Sequence, residues 1–316
     1  MNFLLSKKAA FEMGFNWIFA ILAGGFILFI AIYAASNIIN TGNQVTQTQK
    51  AASLTAVLDP YETGLASGKS SEINFNKETR LYFDCSYKNH PPFGSQWFSS
   101  SEVMFEEYNS YGVNTTIINK YVFVEKIIEG KKYVAFSKPF FMPFKIADII
   151  VISASEYCFY DAPEEVIDDI GGLNLPNIIF ANSSIKCRGI KVCFDDKNSD
   201  NCEVKVAYKE KYVQRYGKRM YFEGSLLYGA IFSSPDIYEC NVKRLMNKFV
   251  ELGGIYSEKI KIIERKQCDP KIGTKLGIMI SRAGNITGSR NLLDLAQNSE
   301  EIDTINENGK SGCKVF

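Results

Sequence analysis

Histidine is almost missing from this chain, and that narrows its chemistry: His90, in NHPPFG, is the one imidazole in 316 residues. Any Ser-His-Asp or Cys-His pair would have to be built around it, and its two proline neighbours mark a loop rather than a rigid catalytic platform. Charge imbalance is missing too. With 36 basic residues against 35 acidic, the net charge is +1 and no Lys/Arg cluster forms locally, so nucleic acid is not expected as a partner. No G-x-S-x-G elbow, P-loop or glycine-rich dinucleotide fingerprint occurs, which leaves the motif-borne hydrolase and nucleotide chemistries without support. The carboxylate pairs Glu106/Glu107, Glu164/Glu165 and Asp168/Asp169 are sequence neighbours and read as solvated faces. No internal repeat is visible. An enzyme is not the first expectation.

What the chain does have is apolar and aromatic mass: 46% hydrophobic and 13% aromatic residues suffice for one large core or two modest ones. From Met13 to Gln49 there is no charged residue, and Trp17 to Ala35 is almost wholly apolar. As a helix those residues span roughly 28 Å, close to the hydrocarbon thickness of a bilayer. Trp17 and Tyr33 stand near the two ends, as interfacial aromatics do. Lys7 and Lys8 precede the run, and the next basic residue is Lys50, so the N-terminus is expected in the cytoplasm and the bulk of the chain outside. A cleaved secretory signal is the competing reading, given Ala34, Ala35 and Ser36. The apolar run exceeds the usual h-region, however, and Tyr33 occupies the minus-three position for a cut after Ala35.

The order SKKA, AFEMGF and then an apolar helix resembles the N-terminus of archaeal type IV pilin-like precursors, with Glu12 third or fourth after cuts beyond Ala9 or Lys8. This implies a membrane-retained subunit whose helix packs with others in a filament. Glu12 reads otherwise as an interfacial residue on the cytoplasmic flank. The KKAAFEMGFNWIF start, the YECNVKRLM helix and a cysteine three residues from the end together resemble the uncharacterised membrane-anchored proteins of small-genome archaea, a likeness that implies no activity.

All eight cysteines, Cys85, Cys158, Cys187, Cys193, Cys202, Cys240, Cys268 and Cys313, follow the apolar helix, where disulfides persist if the chain is outside. Three sequons, at Asn114, Asn182 and Asn285, fall there as candidate glycosylation sites. Cys187, Cys193 and Cys202 lack Cys-x2-Cys spacing and a nearby histidine, so a disulfide across a β-hairpin is expected rather than zinc. Within that group Asp196, Asn198 and Asp200 form the D-x-N-x-D alternation of calcium loops, but Asn201 replaces the expected glycine and Ala207 the closing acid. A polar hairpin turn is therefore the first reading and calcium the second; no other cofactor is expected.

The fold class expected is α/β or α+β. Residues 1–14 read as a cytoplasmic basic terminus, 15–39 as the transmembrane helix, and 40–70 as a stalk with an amphipathic piece at Leu54, Val57 and Leu58. Residues 71–232 read as a mixed α/β exterior domain and 233–316 as a helical section packed on it. Short β-type runs fill the domain: INF, RLYFDC, YVFVEKII, KYVAF, DIIVISA, NIIFA, IKVCF, EVKVAY and LLYGAIF. DIIVISAS, APEEVIDDIGG and NIIFANSS form a strand, helix, strand series that implies a parallel pair. Further on, Tyr238, Val242, Leu245, Phe249, Leu252, Tyr256, Ile260 and Ile263 hold one apolar phase straight through Gly253 and Gly254, which predicts one long helix. A second helical arm is expected from about Arg290 to Asn308. Cys240 and Cys268 then lie roughly 42 Å apart along the helix and cannot pair, whereas a returning arm would bring Cys313 to Cys240.

The expected function is a single-pass membrane-anchored surface or envelope protein acting by binding or structural contact. Its partners would be the bilayer and other membrane or surface proteins met through the apolar helix or the C-terminal helices. A pilin-like filament or secretion subunit and a surface hydrolase with carboxylate chemistry are the alternatives.

Overall fold

The computed structural model describes residues 17–37, 54, 58–60, 68, 70–87, 93–104, 107–108, 112, 114–181, 187–195, 201–309 and 313–316. Helix α1 (Trp17–Asn37) is long and apolar enough to cross a membrane, and none of its apolar window is buried against the described chain. A membrane anchor and a signal sequence share that property.

The body carries two mixed sheets. β1 (Ser70–Ser86), β2 (Ser95–Met104), β3 (Glu107–Tyr108), β4 (Thr115–Ile117), β5 (Tyr121–Phe123), β6 (Ile127–Phe141) and β7 (Lys145–Ser153) form the first, in the order β3-β2-β1-β6-β7-β5 with β4 also on β2. β8 (Tyr157–Tyr160), β9 (Ile178–Ala181), β10 (Ile190–Phe194), β11 (Val204–Ala207), β12 (Tyr212–Arg215) and β13 (Lys218–Tyr221) form the second, in the order β13-β12-β11-β10-β8-β9. Helix α2 (Glu164–Gly171) crosses between the parallel strands β8 and β9. The C-terminal section is α3 (Leu226–Phe232), α4 (Pro235–Arg265), α5 (Gly273–Gly284) and α6 (Leu292–Glu307).

β7 shows why the first sheet is central. Ile149 and Val151 point into the main core shared with the second sheet and the helices, while Ile150 and Ile152 point into a smaller core that also holds Leu54, Leu58, Leu81 and Phe98. Covered on both faces, the strand reads as a continuous apolar run. For the same reason DIIVIS is not the first strand of the strand-helix-strand unit. It pairs with β5 and β6, and the chain crosses to the other sheet at residues 154–156, so the parallel partner of NIIFA is Tyr157–Tyr160.

LLYGAIF is a helix rather than a strand. All seven residues of α3 are buried, and a run apolar on every side carries no period to tell the two apart. Phe232 packs against Phe136 and Tyr157, one from each sheet. At Gly229 an added Cβ would lie 2.6 Å from the Phe123 ring, so Gly229→Ala is expected to destabilise the fold by about 1–3 kcal/mol through overpacking. A lowered urea midpoint with unchanged slope would show it; an unchanged midpoint would mean that α3 is not seated this closely.

α4 runs unbroken through the glycine pair. Gly253 lies where α5 approaches, with Ile280 2.7 Å from where its Cβ would be. The disulfides are Cys85–Cys240, Cys158–Cys187, Cys193–Cys202 and Cys268–Cys313. Cys240 and Cys268 are indeed unpaired with each other, but the expected Cys240–Cys313 partnership is overturned. α5 is the reason: it returns along α4, and α6 then runs outward again, so the tail ends at the far tip of α4, where Lys259 Nζ donates to the Val315 carbonyl and Phe316 meets Tyr256. The Cys193–Cys202 pair exists without the expected hairpin, because β10 and β11 are parallel. A disulfide fixes proximity, not strand direction.

One buried cation joins these parts. Arg244 on α4 is fully buried; its Nη1 donates to Asn241 Oδ1 (2.7 Å), the Lys120 carbonyl (3.1 Å) and Gln96 Oε1 (3.3 Å), and its Nε to the Phe93 carbonyl (3.2 Å). Burial pulls its pKa down to about 10. Gln96 in turn pairs with both the N–H and the carbonyl of Val122, as a neighbouring strand would.

Candidate functional site

Asp196, Asn198 and Asp200 lie outside the described residues, as do His90 and Asn182. Asn114 is exposed just before β4, and Asn285 is exposed at the end of α5, where its Nδ2 donates to the Ser281 carbonyl. Glu156, Cys158 and Cys187 gather their ligand atoms within 4.8 Å. Both sulfurs belong to one disulfide, so no thiolate is on offer to a metal.

Several hollows among the described residues gather polar side chains, and in two of them those side chains bond to one another across elements. The first, about 590 Å³, lies between α2 and α3 and is lined by Lys138, Glu165, Asp169, Tyr208 and Tyr228 among others. Glu165 and Asp169 are four apart on α2, so they share one face of the helix, a convergence that adjacent pairs such as Glu164/Glu165 do not announce. Each is held by a neighbour. Tyr228 donates to Asp169 Oδ2 at 2.5 Å, Lys138 pairs with Asp169 Oδ1, and Tyr208 donates to Glu165 Oε2 at 2.9 Å. Burial, and next the hydrogen bond to Glu165, push the Tyr208 phenol up to about 12; burial with Asp169 raises Tyr228 further. Both phenols stay protonated donors at neutral pH.

The second hollow runs along the face of β1 that points away from the smaller core. Strand register builds it in rows: Arg80 lies between Ser101 and Glu129, Tyr82 between Ser99 and Ile127, and Asp84 beside Trp97. Tyr108 on β3 pairs with Val103, the next residue after Ser101 on the same face of β2, and the Arg80 guanidinium lies 3.8 Å from its ring centre. Two cavities, about 400 and 470 Å³, adjoin here and share Ile127. The deeper end is a notch between the sheets, where Arg215 Nη2 pairs with Glu125 Oε1 at 2.5 Å and Arg215 Nη1 donates to the Ile231 carbonyl. Burial holds the Glu125 carboxyl above its usual range in spite of Arg215, and burial likewise raises the Tyr157 phenol.

Tyr216 closes that end. It forms a two-residue turn with Gly217 between β12 and β13, with φ of +49° and +71°, a backbone region that suits Asn-Gly. Its hydroxyl reaches Glu125 Oε1 at 3.4 Å. Among the groove's residues the sequence singles out Asn114, as a sequon; RLYFDC reads as a β-type run, and only the register shows that Arg80, Tyr82 and Asp84 face outward together.

No protein-family model, curated protein or solved structure matches this chain.

Proposed function

We propose that this chain is a single-pass membrane-anchored protein whose body lies on the non-cytoplasmic side and works by binding contact. The pairing of all eight cysteines, every one C-terminal to α1, is the observation that carries the reading, since disulfides persist in oxidising compartments. The basic flank at Lys7 and Lys8 supports the orientation. The groove on β1 and β2 supports binding: its ionisable groups are largely engaged with one another, as befits a fixed recognition surface.

The test uses the full chain in its native membrane. Retention in the pellet through alkaline carbonate extraction is expected, with no thiol labelled by an impermeant maleimide until an impermeant reductant is added. Free thiols shielded on the inner side, or an uncut soluble product, would overturn it. A filament subunit remains a variant of this reading, favoured by loss of residues 1 to 9 from the mature chain. The hydrolase reading draws on Glu165 and Asp169 sharing one hollow with two protonated phenols, and turnover abolished by Asp169→Asn would favour it.

A further inference from the structure

We propose that the groove on the outer face of β1 and β2, continued into the notch at Glu125, binds a linear oligosaccharide. This deepens the binding reading given above and rests on it.

The argument starts from which groups the groove offers. The rings of Trp97, Tyr82 and Tyr216 line it, that of Tyr108 lies beneath the Arg80 guanidinium, and between them are polar groups of both kinds: carboxylates that only accept and guanidinium groups that only donate. The rows from Asp84 to Arg80 cover about 13 Å of strand, room for a few sugar rings in line. A pyranose presents a C–H face that packs on an aromatic ring and hydroxyls at its edge that both donate and accept. The groove is patterned in the same way, ring beside fixed polar pair.

Charge argues against nucleic acid. Arg80 pairs with Glu129, Arg215 with Glu125 and Lys126 with Asp236, so the cations of the groove are already neutralised, whereas a phosphate backbone is held by cations free to replace its counterions. Strand pairing argues against an extended peptide. Such a peptide adds to an open sheet edge through its main chain, but β1 is bonded on one side to β2 and on the other to β6, so only side chains face the groove.

Tyr216 supplies an independent observation. A bulky side chain held at positive φ is a strained choice where asparagine or glycine would serve, and this one places its ring at the rim of the notch. The strain is accounted for if the ring is needed there as a stacking surface.

The test uses the full chain with Trp17→Phe, which leaves Trp97 as the sole tryptophan, solubilised in an amine-oxide detergent that carries no sugar. Maltohexaose, cellohexaose and chitohexaose are titrated while Trp97 emission is followed, and a mixture of uncharged decapeptides forms the second arm. A saturable emission shift with at least one hexasaccharide is expected, weakened about tenfold by Tyr216→Asn, a substitution that relieves the turn and so preserves the fold. Calorimetry on Trp97→Ala should show a loss of similar size. No saturable response to any hexasaccharide at millimolar concentration, or a response untouched by both substitutions, overturns the proposal. A response to the peptides alone, or silence in both arms, overturns it, and neither touches the binding reading, which falls only to the extraction and labelling results given for it above.

Discussion

Arg244→Met is expected to destabilise the folded chain by about 3 kcal/mol, because it strands several buried acceptors at once. The guanidinium serves Asn241 Oδ1, Gln96 Oε1 and the carbonyls of Lys120 and Phe93, and methionine replaces none of those bonds. Part of the loss is offset, since the desolvation that lowers the pKa of Arg244 disappears with the charge. Lysine should restore less than half of the difference: a single ammonium on a flexible stem cannot span acceptors spread around a planar fork. Urea unfolding of the oxidised protein measures both. A change below about 1 kcal/mol in the methionine variant would mean that the acceptors find other partners and that the network is incidental.

The second large effect is expected at Cys85 and Cys240. Their bond closes a loop with a sequence separation of 155, against 9 for Cys193 and Cys202. Chain entropy then assigns about 5 kcal/mol to the long loop and about 2.5 to the short one. The other two cross-links inside the long loop shorten it only slightly. Replacing each pair by serine and comparing unfolding midpoints should therefore show the larger loss at Cys85/Cys240. That bond also fastens the strand end beside Asp84 to α4, so its loss should loosen one end of the β1 groove. If the short-loop variant proves the less stable of the two, the entropic account is wrong for this fold.

The elements legible in the sequence were those whose period survived folding. The apolar run of α1 could be placed because it is apolar on every side, and α4 because one face stays apolar from Tyr238 to Ile263 although its first half is buried and its second half largely exposed. β7 was legible as a strand but not as a member of a particular sheet, since residues buried on both faces look the same in either sheet. β2 went unseen because Gln96, Ser99, Ser100, Ser101 and Glu102 are buried although none is apolar. Gln96 is inside to complete the hydrogen bonding of β5, a reason that exists only once β5 is in place. α5 was missed because its three glycines, Gly273, Gly277 and Gly284, dilute the apolar signal of Leu276, Met279 and Ala283. That omission also produced the wrong partner for Cys313: one returning helix and two leave the tail at opposite ends of α4.

The groove was the least legible part, because its members are scattered over five strands and a turn. Arg80 and Glu129 meet through pairing of β1 with β6, and Trp97 and Asp84 through pairing of β1 with β2. Tyr216 carries only the weak signal of a Tyr-Gly step. In the other hollow, the i, i+4 spacing of Glu165 and Asp169 is itself a signal on the expected helix.

The outward run of α6 has a mechanical result. Three antiparallel rods, tied at the tip by Cys268–Cys313 and at the root by Cys85–Cys240, make a braced strut in place of a lone lever. Gly253 is splinted by Ile280 of α5, and the outer end of α4 is seated on Phe144 through Tyr256 and Phe316, so the bundle is held to the sheet at both ends.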